Sequence, residues 1–159
     1  MKTYTKIEEV TFEKLIRKDI SILKNKIITK IEKENNKIYF YCDNIKYLMF
    51  HNQECCESVN IEDIAGDLDD LLNTPVLTAY EDTNRGNDGK IDDNDDSFSW
   101  TFYVIRTIKG TVTISWYGTS NGFYSEEADF FEVTTKKELR EITYSDNAFI
   151  GVVSSANNI

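Results

Sequence analysis

The chain has 159 residues and a formal net charge of −10. That length suits one domain able to bury a core without metal or disulfide staples. No run of about 18 apolar residues is present to cross a membrane as a helix, and "MKTYTKIEEV" has no apolar leader, so neither a membrane span nor secretion is expected. Three cysteines, an odd number, read as free thiols in a reducing cytoplasm. Bonding between the neighbours Cys55 and Cys56 is disfavoured, because a vicinal bridge strains the peptide.

The charge is unevenly spread. Residues 1–49 hold 11 Lys+Arg and 7 Asp+Glu, and the remaining 7 and 21 leave residues 50–159 at −14. A surface that acidic repels nucleic acid and attracts basic partners, although it also serves solubility.

In chain order, "TFEKLIRKD" spaces Phe12, Leu15 and Ile16 as a short amphipathic helix over 11–18, with Thr11 as N-cap. Residues 24–51 read as a β-meander with turns at Glu34–Asn36 and at Asp43–Asn44. Ile61, Ile64, Leu68, Leu71 and Leu72 fit a helical stripe broken at Gly66, with Asp67 capping a short turn that ends near Asn73. "PVLTAYE" is extended. After a polar insertion come two strands joined at Lys109-Gly110, then another after the "GTSNG" loop. Residues 136–159 fit either a helix plus strand or an edge element. Along the first of the paired strands, Trp100, Phe102, Val104 and Thr107 oppose Phe98, Tyr103 and Ile105, which implies a strand covered on both sides. The expected fold is therefore α+β, an antiparallel sheet packed with one or two short helices. The sign change near residue 50 divides a basic subdomain, 1–50, from an acidic β-rich one, 51–159.

Several constellations invite chemistry. His51, Cys55 and Cys56 offer three zinc-type ligands, but a closed site wants four, and adjacent residues on extended chain point apart. His51 with Cys55 lacks the surroundings of a nucleophile and its base. Packing is the simpler role for these thiols. "GTSNG" matches G-x-S-x-G around Ser120, yet the one histidine lies upstream and both flanks look like strands, so a hairpin loop fits better. "NRGNDGKIDDND" partly follows a calcium loop through Asp88, Gly89, Asp92 and Asp95, but Asn84 and Gly86 fill two ligand positions poorly. With Glu81, Asp82, Asp93 and Asp96, this stretch suits a basic partner. Lys24, Lys26, Lys30, Lys33, Lys37 and Lys46 near Tyr39 and Tyr41 resemble a nucleic-acid face, but edge protection of a sheet accounts for them more simply. No metal and no cofactor is expected.

The words "CCESVNIEDI", "GDLDDL" and "SWYGTSNGFYSE", within residues 51–130, resemble an uncharacterised domain found in phage and prophage proteins of low-GC Gram-positive bacteria. On that likeness the first 50 residues and the acidic insertion are additions to the domain. In length and character the chain also resembles a phage anti-CRISPR protein acting on a type II-A Cas9. These resemblances imply a non-enzymatic counter-defence protein in the host bacterial cytoplasm. It would bind a Cas9-type nuclease, at its HNH domain for instance, and block cleavage. The expected contacts are carboxylates, Asp67, Asp69, Asp70, Asp88, Asp92, Asp93, Asp95 and Asp96, with Tyr117, Phe123 and Tyr124 as aromatic anchors. Direct nucleic-acid binding is not expected. The alternative is a sponge that sequesters a nucleotide immune signal through Arg106, Lys109, Trp116 and Tyr117.

Overall fold

The computed structural model describes residues 2–86, 97–145 and 149–158. Ten strands account for nearly all of its regular structure: β1 (Thr3–Arg17), β2 (Lys30–Glu34), β3 (Lys37–Cys42), β4 (Ile45–Phe50), β5 (Ser58–Ala65), β6 (Thr78–Gly86), β7 (Ser97–Thr107), β8 (Gly110–Ser120), β9 (Asp129–Ser145) and β10 (Phe149–Asn158). The only helical pieces among the described residues are two 3-10 turns, Ile20–Leu23 and Leu68–Leu71. The fold is therefore nearly all antiparallel β, and the α+β expectation is corrected. Residues 11–17 of the predicted helix over 11–18 lie in β1. Its β-branched and aromatic residues (Thr3, Thr5, Ile7, Val10, Thr11, Phe12, Ile16) favour extended backbone. Long-range pairing with β9 overrides the local spacing.

Two compact units divide the chain, residues 1–15 with 133–159 and residues 16–132. The boundary cuts β1 and β9. In the smaller unit β9 pairs with β1 and, antiparallel, with β10, over Glu138–Tyr144. Tyr4 stacks on Tyr144 with ring centroids 5.5 Å apart, and Lys14 accepts at its carbonyl from the Thr134 hydroxyl.

The larger unit is a sandwich of two sheets. In one, β4 lies between the start of β9 and β3, and β3 carries β2 as the edge; the other runs β5-β8-β7-β6. The meander β2–β3–β4 is the predicted one. Its turns contain Asn35 and Asp43 at φ 52° and 53°, residues that accept the left-handed region at low cost. Ile38, Phe40, Tyr47 and Met49 meet Tyr103, Ile105, Ile114 and Trp116 in one buried cluster. Trp116 Nε1 donates to Met49 Sδ at 3.4 Å across it. The charge reversal near residue 50 thus falls inside this unit, between β4 and β5.

Two other predictions change on strand β5 and strand β7. The helical stripe at Ile61 and Ile64 belongs to β5, where the register against β8 shifts between Ile61 and Asp63. Glu62 is the extra residue of a β-bulge, so residues three apart face the same way. Ile61 stands opposite Trp116, and Ile64 opposite Ile114. On β7 the buried face is Ser99, Thr101, Tyr103, Ile105 and Thr107, while Phe98, Trp100, Phe102 and Val104 share the half-buried face. Phe98 and Thr107 therefore exchange sides relative to the expectation, following the two-residue period of the pleat.

Candidate functional site

Residues 125–128 cross one end of the sandwich as an extended strap between β8 and β9. The strap lies so close to β8 that a Cβ at Gly118 would run into the Glu126 carbonyl oxygen. Glycine there is what admits the strap. Four side chains fasten it. Tyr103 Oη donates to the Ala128 carbonyl at 2.7 Å, His51 Nδ1 lies 2.8 Å from the Glu127 carbonyl, and two serine hydroxyls reach the Glu126 carboxylate.

That carboxylate is the site's central feature. Glu126 is 6% exposed, and its oxygens accept from Ser99 Oγ at 3.1 Å and Ser120 Oγ at 2.6 Å. It lines a polar pocket of about 360 Å³, whose other walls include Arg85, Phe123, Tyr124 and Glu127. No described Lys or Arg forms an ion pair with Glu126. The nearest candidate, Arg85, is committed to Glu127, with Nε at 2.7 Å from its carboxylate. At the mouth, Phe123 is 82% exposed and meets Tyr124 edge to face at 5.1 Å. A carboxylate held by two hydroxyls keeps lone pairs for a further donor, and a buried anion is stabilised most by a cation.

His51 binds this strap to the loop before β5. Its Nε2 is 3.0 Å from Glu57 Oε1, and both side chains are buried. A carbonyl and a carboxylate only accept, so the ring bridges Glu127 and Glu57 in full when both nitrogens carry hydrogen. Glu57 also accepts from the backbone N–H groups of Glu54 at 2.6 Å and Cys55 at 3.1 Å. The Glu54 N–H first, then His51 and the Cys55 N–H, hold the Glu57 carboxyl at about 2, well below the usual range, against the opposing effect of burial. Cys55 and Cys56 are joined by a disulfide, contrary to the free-thiol expectation, and Cys42 is a buried free thiol whose pKa burial raises to about 11. His51 and Glu57 are thus fasteners of a loop.

Ser120 is equally committed. It donates to Glu126 and accepts from the Gly122 N–H at 2.9 Å, while Gly122 takes φ 85° in the turn. The G-x-S-x-G match covers the end of β8 and the turn after it, which leads to β9 in the other sheet rather than back along β8, so the hairpin-loop expectation is corrected; its serine faces the Glu126 carboxylate.

The described members of the predicted contact set lie at separate places. Phe123 and Tyr124 sit at the pocket mouth, beyond the Ser120 end of β8. Asp67, Asp69 and Asp70 belong to the 3-10 turn at the Gly110 end, where Asp67 accepts from Asp69 N–H and Asp70 lies over Gly110. The ten residue steps of β8 put about 33 Å between the two groups. Tyr117 lies on the outer face of the four-stranded sheet, packed against Trp100 at 4.8 Å, with Trp100 stacked on Phe102 at 5.9 Å. Asp82 is paired across the strands with Phe102, and exposed Tyr80 with Val104. Asp88, Asp92, Asp93, Asp95 and Asp96, with the calcium-like loop they belong to, lie outside the described residues.

Sequence reasoning missed Ser99, Glu126 and Arg85. "GTSNGFYSEEAD" carried a signal, since two consecutive glutamates stand just before Ala128 and Phe130, both buried, but no pattern tells which of the two turns inward. The residues named for a nucleotide pocket do not share one face of this chain. Trp116 is fully buried in the core and Tyr117 faces the other way, while Lys109 Nζ donates to the Leu72 carbonyl at 2.9 Å. On the meander the lysines lie over rings, with Lys30 Nζ 5.2 Å from the Tyr41 centroid and Lys46 Nζ 4.7 Å from that of Tyr39. No described helix is long and apolar enough to cross a membrane.

The family model for a domain of unknown function, DUF7448, matches residues 21–130. The chain belongs to the DUF7448 family. The match starts before β2, so the meander is part of the DUF7448 domain rather than an addition to it. It ends two residues short of the larger unit's boundary. Phage origin and likeness to an anti-CRISPR protein find no support in this match. No curated protein and no solved structure matches the chain.

Proposed function

We propose that this DUF7448 protein is a non-catalytic recognition protein for a basic macromolecule, and that its Glu126 pocket receives a lysine or arginine side chain of the partner. The observation that carries this reading is a buried carboxylate, held by Ser99 and Ser120 and without a described cation of its own, on the floor of an open pocket. An incoming ammonium or guanidinium supplies the missing counter-charge, and the Phe123 and Tyr124 rings suit the aliphatic stem and the cation together. The net charge of −10 steers such a partner toward the surface. The Trp100–Tyr117–Phe102 cluster on the outer sheet face offers aromatic contact area beside it.

The test titrates short arginine-rich peptides, and the same peptides with citrulline in place of arginine, into the purified chain. Binding should require the charge, weaken with salt, and fall about tenfold or more in Glu126→Gln, consistent with a charge-assisted contact. Arginine-peptide affinity unchanged by Glu126→Gln would remove the pocket from the reading.

A further inference from the structure

In the smaller unit β9 holds β1 on one side and β10 on the other. None of its described residues joins the buried hydrophobic cluster, whose members run from Ile20 to Phe130. β1 stands last in the sheet order, so among the described residues one of its edges carries no strand. The Lys18 N–H donates to the Phe130 carbonyl, and the Lys14 carbonyl accepts from Thr134 on β9. Even-numbered residues at this end therefore address β9. Alternation turns the backbone N–H and C=O of Leu15 and Thr11 toward the open edge. β1 contains no proline and exposes Tyr4 at 49%, Ile7 at 63% and Leu15 at 39%. An open edge of this length with exposed apolar side chains is a template for another strand.

We infer that β1 is a self-association edge whose occupant is β1 of a second copy, running antiparallel about a two-fold axis at Thr11. No residue of the Glu126 pocket takes part in this pairing. In that register Ile7 faces Leu15, Glu8 faces Lys14 and Val10 faces Phe12, each pair occurring twice. Glu9 facing Glu13 is the one like-charged pair, and Lys6 facing Ile16 the one charged side chain against an apolar one. Sliding the strands by two residues one way sets Lys6 against Lys14 and Ile7 against Glu13; the other way sets Glu9 against Leu15. Charge and apolar complementarity thus select the register centred on Thr11. The two-fold closes the assembly at a dimer and removes one exposed edge from each copy.

Sedimentation velocity of the full chain at micromolar concentrations tests the dimer. Thr11→Cys places two thiols opposite each other and should give a covalent dimer on mild oxidation, whereas Thr5→Cys should not. Ile7→Lys with Leu15→Lys alters only exposed positions; it should yield a monomer with the melting transition of the larger unit unchanged. A full chain that stays monomeric overturns the proposal. So does a dimer that persists in the double lysine variant, or one in which Thr11→Cys fails to cross-link.

Discussion

Gly118 shows how little space separates the strap from β8. A methyl group there meets backbone rather than a flexible side chain, so the strap must move or the strand must bend. Gly118→Ala should cost about 1–3 kcal/mol in urea denaturation, the usual penalty of overpacking. It should also weaken whatever the Glu126 pocket binds. Glu57 gives a prediction in pH. Its folded-state pKa of about 2 is below the ordinary 4.5, so its contribution to stability is fully present above about 4.5 and is lost as pH falls toward 2. Between those values the melting temperature of Glu57→Gln should fall less steeply than that of the native chain. Equal slopes would show that the carboxylate is not specially stabilised. Thiol counting checks the cysteines: unfolded without reductant, the protein should titrate one thiol, Cys42, and with reductant three.

At the scale of elements, β5 explains why a strand read as a helix. Apolar residues at spacing three are a helical signal in a regular chain. In β5 the bulge at Glu62 converts that spacing into two residues on one sheet face. Deleting Glu62 should therefore be tolerated, because Ile61 and Ile64 then alternate normally and both still face the core. Deleting Asn60 shifts Val59, which is 7% exposed, to the outer face and should cost about 1.5–3 kcal/mol from lost burial alone. Similar cost for the two deletions, measured by denaturant unfolding, would exclude this account. The meander and the β7–β8 pair were legible in the sequence because turn residues and local pairing coincide there. β1 was not, because its partner β9 lies more than a hundred residues away and no local pattern encodes it. The candidate site was half legible. Phe123 and Tyr124 stand out as loop aromatics, but the inward turn of Glu126 depends on Ser99 of β7 and on Gly118 and Ser120 of β8 meeting it together.

For the whole molecule, the hydrophobic cluster and the DUF7448 match fall on the same stretch of chain. The cluster spans residues 20–130 and the match 21–130, within a unit of 16–132. A shortened chain of residues 16–132 should consequently unfold in one cooperative transition and remain monomeric, since the β1 edge is gone. Failure to fold would mean that the ends of the chain supply stability the buried cluster does not. Acidity belongs to the same scale. Residues 50–159 hold 21 carboxylates against 7 basic side chains, and no pairing within them neutralises that excess. Salt dependence should therefore extend to any basic partner, wherever it docks.

The smaller unit is assembled from the two ends of the chain, and Thr5 meets Thr143 across 138 residues. At about 5–20 residues per second of synthesis, β1 leaves the ribosome on the order of ten seconds before the strand that completes it. During that interval both of its edges are open, and neighbouring nascent chains on one message carry the same segment. Pairing of β1 with β1 thus has its first opportunity during translation, before either copy has finished folding.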